Sequence, residues 1–388
     1  MNILLDLIPF QHRGGIGGAP SFTRRVCDEI IARRKPGTRL FALYDSTLPE
    51  GRQYSHHAYA RQHSLQLVDR HAAPLSSLTE TNHIDVLFMP IGQFHATTPL
   101  NGIRCKTVMF IHDIFDVERN DNLIDLMLFR HSTLGRWETF KRIFCLATGR
   151  WERGAQKQYA NIMQLYAAPN TVPYTVSEYT RSSLLYHFPA RASNPPRVCY
   201  SPLKALSAHN AIEDDALRQL VATGEPYLLL LAADREYKNA QLVLKVFPRL
   251  KRDYPRLRLL TLKLGRTTSP AHTDIGFLSD SDLEHAYRHA AALVFPSFFE
   301  GFGYPPVEAM RHGTPSVVSN VTSIPEVVGG AAEPFSPFYP ADLYRALHKV
   351  LDHRDAYREP MARRLEELQA TQDRQLRELT DEIYAPRP

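Results

Sequence analysis

The chain has 388 residues, 44% hydrophobic and 22% charged, which excludes wholesale disorder and, at roughly 100–200 residues per domain, predicts two domains. Its 46 Lys and Arg against 41 Asp and Glu leave a formal charge of +5, too mild and scattered to indicate nucleic-acid binding but compatible with anionic small molecules or an anionic membrane face. Cys27, Cys105, Cys145 and Cys199 lack disulfide-framework or metal-site spacing, so reduced thiols and no metal are expected.

Residues 2–7 open the chain as a short buried strand carrying Asp6 and no basic n-region. No signal peptide is expected, and no apolar run reaches the ~20 residues of a membrane span. The following HRGGIGGAPSFTRRV brings Gly14, Gly15, Gly17 and Gly18 to the start of a helix predicted over 20–34. Such a loop lets backbone amides and a helix dipole approach a ligand, although glycines needed only for turns would look the same. It is no dinucleotide fingerprint, because Gly15-x-Gly17-x-x lands on Pro20. Further strands are predicted at 39–43, 85–89 and 107–111, the last followed by His112 and Asp113. His112 reads either as a core histidine or as a ligand-facing one. Residues from about 120 to 170 read as helical and rich in Arg and aromatics, forming either a solvated basic face or an acceptor- or membrane-facing surface.

Residues 190–207, with Pro195, Pro196 and Pro202, have linker composition. Beyond them a second series of strands (227–233, 257–264, 292–295, 316–319) alternates with helices (239–251, 281–289, 305–311). The predicted fold class is α/β, with two Rossmann-like doubly wound domains facing each other across an interdomain cleft. Ligands belong at the carboxyl ends of the strands. The predicted boundaries are 1–195 and 208–370, with a C-terminal amphipathic helix, 371–388, returning to the first domain.

The most specific segment is VFPSFFEGFGYPPVEAMRHGTP, residues 294–315. A buried strand delivers Glu300, a Gly-Phe-Gly loop follows, and a short helix carries Glu308. Two acids eight positions apart around a glycine loop can face one ligand, whereas Glu308 alone would read as an acid favouring a helix N-terminus. The amides of Phe302, Gly303, Tyr304 and Val307 are available as donors, while Pro305 and Pro306 have none.

This segment resembles the E-x7-E signature of the retaining glycosyltransferases of family 4, enzymes of the GT-B fold. GGIGGAPSF, FIHD, TVSEYT and SIPEVVGGAA follow the same family's landmarks in order, so the resemblance spans essentially the whole chain. It implies that Glu300 holds the transferred sugar, Glu308 the nucleotide ribose, and Phe302 and Gly303 the sugar and diphosphate. It implies too that His112, with Asp113 beside it to orient the ring, lies near the sugar, and that the loop of Gly17 and Gly18 completes the site. The family's diphosphate clamp of Arg and Lys corresponds to Arg235 and Lys238 in AADREYKNAQ, although Tyr237 stands where a second basic residue is common.

The resemblance further implies a retaining hexosyltransferase of the mannosyltransferase kind, with an acceptor-binding N-terminal domain and a nucleotide-sugar-binding C-terminal one. The expected donor is GDP-mannose, and the expected acceptor a glycan or lipid-linked sugar of surface polysaccharide synthesis. No cofactor is expected. The expected location is the cytoplasm, with peripheral contact at the inner face of the membrane. A catalytically silent sugar-nucleotide-binding subunit and a sugar-nucleotide epimerase of similar architecture are the alternatives. Relatives end in a tryptophan-containing helix, and here Gln372 stands roughly where that tryptophan would be.

Overall fold

A computed structural model describes residues 1–12, 17–95, 98–121, 144, 148, 159–160, 162–189, 193–207 and 211–385, with the side chains of 119–121 excepted. The chain divides into two compact units. Of the described residues, the first unit takes those up to 121, those from 144 to Lys204 and those from Thr371 on, and the second takes those from Ala205 to Ala370.

The first unit is built from β1 (Asn2–Asp6), α1 (Gly18–Ala32), β2 (Arg39–Tyr44), α2 (His56–His63), β3 (Gln66–Asp69), α3 (Leu75–Thr81), β4 (Val86–Met89), β5 (Lys106–Ile111), α4 (Phe115–Asp121), β6 (Thr171–Thr175), α5 (Glu178–His187) and β7 (Arg197–Val198). Its sheet has the order β3-β2-β1-β4-β5-β6-β7 with every pairing parallel. Ile3, Leu4 and Leu5 are all fully buried, as expected of a central parallel strand covered on both faces.

The second unit comprises α6 (Asp215–Ala222), β8 (Tyr227–Leu230), α7 (Ala240–Asp253), β9 (Arg258–Leu262), β10 (His272–Ile275), α8 (Asp280–His289), β11 (Ala292–Phe295), α9 (Tyr304–Arg311), β12 (Ser316–Ser319), α10 (Ile324–Val328), β13 (Glu333–Phe335) and α11 (Pro340–Asp352). Its sheet runs β10-β9-β8-β11-β12-β13, again all parallel. The predicted face of α7, Leu242, Val243, Val246, Phe247 and Leu250, is buried in this unit's core. The α/β class and both Rossmann-like units therefore agree with the sequence reading.

The last helix, α12 (Arg358–Tyr384), starts in the second unit and ends in the first. Its C-terminal half is tied to the first unit by polar contacts. Glu382 pairs with Lys106 and Arg197, the Tyr384 hydroxyl donates to Ile30 O, and Gln372 Nε2 donates to Ser201 O at 2.6 Å. Gln372 is buried, so a polar anchor occupies the place where the tryptophan was missing.

Candidate functional site

A parallel sheet whose strand order runs outward in both directions from two central strands opens a crevice at their carboxyl ends, because the connections leave to opposite sides. In the second unit those strands are β8 and β11. Their following loops carry the residues that the sequence singles out.

Beyond β8 the chain makes a 3-10 turn at Glu236–Lys238, and Asn239, with left-handed backbone at φ 53°, leads into α7. Beyond β11 comes Glu300. Lys238 Nζ stands 2.6 Å from Glu300 Oε1, with the side chains only 9% and 13% exposed. The ammonium also lies 4.7 Å from the Phe295 ring centroid and 5.4 Å from that of Tyr237, close enough for cation–π attraction. The two loops are joined through their backbones, since Phe298 N–H donates to Tyr237 O at 2.8 Å. The loop after β12 grips the Glu300 peptide from both ends. Glu300 N–H donates to Thr322 Oγ1 at 3.2 Å, and Ser323 Oγ–H donates to Glu300 O at 2.9 Å.

Arg235 joins this group through Tyr237, whose hydroxyl accepts from Nη1 at 3.0 Å. Desolvation opposes the guanidinium charge, but Tyr237, Asp234 and Glu300 outweigh it and raise the Arg235 pKa. Tyr237 thus carries Lys238 over its ring and Arg235 on its hydroxyl, a role visible in the sequence only as a departure from the basic residue common there.

Gly303, at φ 93° and ψ 66°, turns the chain into α9. A side chain is disfavoured at that φ, and Tyr304 then starts the helix ahead of Pro305 and Pro306, which have no N–H to leave unpaired. A Cβ on Gly303 would meet Phe295 Cε1 at 3.5 Å, so the glycine loop packs on the ring that lies near Lys238. Phe302 is buried beside Tyr304, their ring centroids 5.5 Å apart.

Glu308 is held separately. It is buried on α9, and its Oε2 accepts from the Tyr287 hydroxyl of α8 at 2.7 Å. No sequence signal marked Tyr287.

Among the described residues, six other than glycine have positive φ, and four of them, Ala232, Asn239, Lys263 and Thr322, lie in connections leaving β8, β9 and β12. Non-glycine residues in the left-handed region cost of order 1–3 kcal/mol each and collect at functional sites. The carboxyl end of this sheet concentrates them.

In the first unit the central strands are β1 and β4. Gly17, at φ 115°, precedes α1, which begins with Gly18. Gly14 and Gly15 lie outside the described residues, as does most of the Arg- and aromatic-rich 120–170 segment. Phe22 of α1 packs edge-on against the His112 ring at 4.6 Å, so the glycine-led helix and His112 are brought together.

His112 Nε2 lies 2.8 Å from Pro90 O. A carbonyl only accepts, so Nε2 carries the proton and Nδ1 keeps its lone pair. Part of the residue still reaches solvent, yet desolvation depresses its pKa to about 4 despite the opposing bond to Pro90, keeping the ring neutral. The expected orienting role of Asp113 is not what the structure shows. Asp113 Oδ1 accepts from Phe115 N–H at 3.2 Å, opening α4, and the carbonyl of Pro90 orients the histidine. The end of β5 is braced by Thr180, whose Oγ1 donates to His112 O at 3.1 Å and whose N–H is capped by Ser177.

The sequence reading missed Asp6 and His95. They are fully buried at 2.7 Å, linking the end of β1 to the turn after β4. No group of three or more potential metal ligands occurs among the described residues, and none of the described helices is long and apolar enough to cross a membrane.

Residues 225–353 match the family described as glycosyl transferases group 1. Over 90 residues the chain is 46% identical to the serotype-specific mannosyltransferase WbdA of Escherichia coli, a match covering 23% of this chain and 11% of that protein. Over 174 residues it is 32% identical to the O-antigen chain mannosyltransferase B of Escherichia coli, covering 40% of this chain and 45% of that one. The matches therefore span about a tenth and less than half of these relatives' lengths. Among solved structures, a sucrose-phosphate synthase of Thermosynechococcus elongatus superimposes with a TM-score of 0.65 over 98% of this chain and 97% of its own, at 15% identity. That likeness establishes the fold.

Proposed function

We propose that this chain, whose residues 225–353 match the glycosyl transferases group 1 family, transfers a hexose from a nucleotide-diphosphate sugar to a glycan or lipid-linked sugar acceptor in surface polysaccharide synthesis. Mannose is the favoured sugar and GDP-mannose the favoured donor, because the relatives that the chain matches at 46% and 32% identity are named as mannosyltransferases. The observation that carries the reading is the joining of Lys238, Glu300 and, through Tyr237, Arg235 at the switch point of the second sheet. Two cations there suit the charge that accumulates on a departing diphosphate, and a carboxylate there suits sugar hydroxyls. Glu308 serves the ribose, Phe302 and Gly303 bring backbone to the sugar and diphosphate, and the loop of Gly17 and Gly18 with neutral His112 serves the sugar and acceptor. The reaction keeps the anomeric configuration without a covalent intermediate on Glu300 and needs no metal. It takes place in the cytoplasm, at the inner face of the membrane.

The test is a thermal-shift panel of GDP-, UDP- and dTDP-sugars followed by a transfer assay with the stabilising donor. GDP-mannose is expected to raise the melting temperature, and Glu300→Ala and Lys238→Ala to abolish transfer. Absence of any stabilisation, or transfer that persists unchanged in both variants, would overturn the reading. Conversion of the nucleotide sugar to its epimer without acceptor would replace it.

A further inference from the structure

We infer that Tyr287 is the positioning residue for the ribose contact, setting the carboxylate of Glu308 so that it can engage the nucleotide's vicinal hydroxyls. The inference rests on the reading of Glu308 given above. Tyr287 is 1% exposed on α8, and its hydroxyl donates to Glu308 Oε2 at 2.7 Å across to α9. Burial, then the neighbouring Glu308 carboxylate, raises the phenol's pKa well above its ordinary value, so the hydroxyl stays protonated and remains a donor.

Tyr287 is itself fixed at both ends. Its main-chain oxygen accepts from Thr314 Oγ1 at 2.6 Å, and the His312 ring lies parallel to its own, with centroids 5.8 Å apart and planes 11° apart. Thr314 and His312 stand just beyond α9, so the segment that carries Glu308 also clamps the residue that aims it. A carboxylate can accept two adjacent hydroxyls only in a defined rotamer, and ordering its three rotatable bonds costs conformational entropy that a fixed hydrogen-bond donor offsets. The phenol commits one oxygen edge and thereby turns the rest of the group in one direction. Tyr287 touches no substrate; it acts through Glu308.

The test is isothermal titration of the full chain and its Tyr287→Phe variant with GDP and with UDP, each beside its 2′,3′-dideoxy form. The parent should bind one diphosphate more tightly than its dideoxy form. In Tyr287→Phe that preference should shrink by about tenfold or more, the scale of a hydrogen bond to a charged group, with the dideoxy affinity unchanged. A packing role alone would weaken both forms together. A parent that binds neither diphosphate, or binds both forms equally, overturns the ribose reading of Glu308 and this inference with it. A variant that keeps the parent's full preference overturns the inference alone. As a second measurement, the same change made in the Glu308→Gln background should add no further loss of that preference. An added loss there overturns the inference.

Discussion

Lys238 and Glu300, 62 positions apart in the chain, form a 2.6 Å ion pair beside the Phe295 ring. An incoming diphosphate would compete with Glu300 for the Lys238 ammonium, so the two residues should respond oppositely to neutralisation. Glu300→Gln is expected to bind GDP at least as tightly as the parent while losing about 10²–10³-fold in transfer rate. Lys238→Met is expected to lose nucleotide affinity as well. Titration calorimetry beside initial-rate assays separates the two. Equal losses of affinity in both variants would contradict the competition.

Gly303 offers a test of the loop between the two acids. At φ 93° the penalty for a side chain comes from the backbone, because an added Cβ would meet only ordinary contacts, 3.5 Å from Phe295 and 3.9 Å from Ile324. Gly303→Ala should therefore destabilise by about 1–2 kcal/mol, and Gly303→Asn by less, since Asn tolerates the left-handed region. Differential scanning calorimetry of the two variants would show the order, and a greater loss for Asn would mean that crowding decides the site.

His112 should leave a signature in the pH dependence of stability. Desolvation holds its folded pKa at about 4, against an ordinary 6.5. Between those values the unfolded chain binds a proton that the folded chain does not, so this residue makes stability rise with pH across that window by up to about 1.4 kcal/mol per unit. Urea denaturation at steps between pH 4.5 and 7.5 should show a shallower slope in His112→Asn than in the parent. An unchanged slope would deny the desolvated neutral ring.

Glu382 is the polar anchor of the last helix. Desolvation works to raise its pKa, but the bonds and charges of Lys106 and Arg197 prevail and hold the carboxyl below its usual range. Glu382→Ala leaves Lys106, almost wholly buried, without its carboxylate, and is expected to cost about 3–5 kcal/mol. The folded pKa is the lower one, so the pair's contribution is present above the ordinary carboxylate pKa and is lost as pH falls through the depressed value. Thermal melts of parent and variant should accordingly converge in acid.

Much of the strand framework was legible because β1, β4, β5, β8, β11 and β12 are buried along their lengths and read as short apolar runs. The strands at the sheet margins were not. In β10, HTDI, side-chain bonds between Thr261, His272 and Asp274 replace apolar packing, and β3, QLVD, is an edge strand with one buried residue. Pro173 disguised β6. Among site residues, Glu300 and Glu308 stood out through the spacing of two acids around a glycine loop, and Lys238 through the resemblance to the family's diphosphate clamp.

Composition and periodicity by themselves determined two α/β units in a mildly basic chain, since alternating buried runs and amphipathic helices can be stabilised only as covered parallel sheets. What they left open was the partner of each polar group. That Lys238 meets Glu300, that Tyr237 holds Arg235, that Tyr287 rather than solvent faces Glu308, and that Pro90 rather than Asp113 orients His112 were decided by strand order and loop closure. Hydrogen bonds are short-ranged and directional, so their pairings become defined only when distant loops arrive at the same sheet edge.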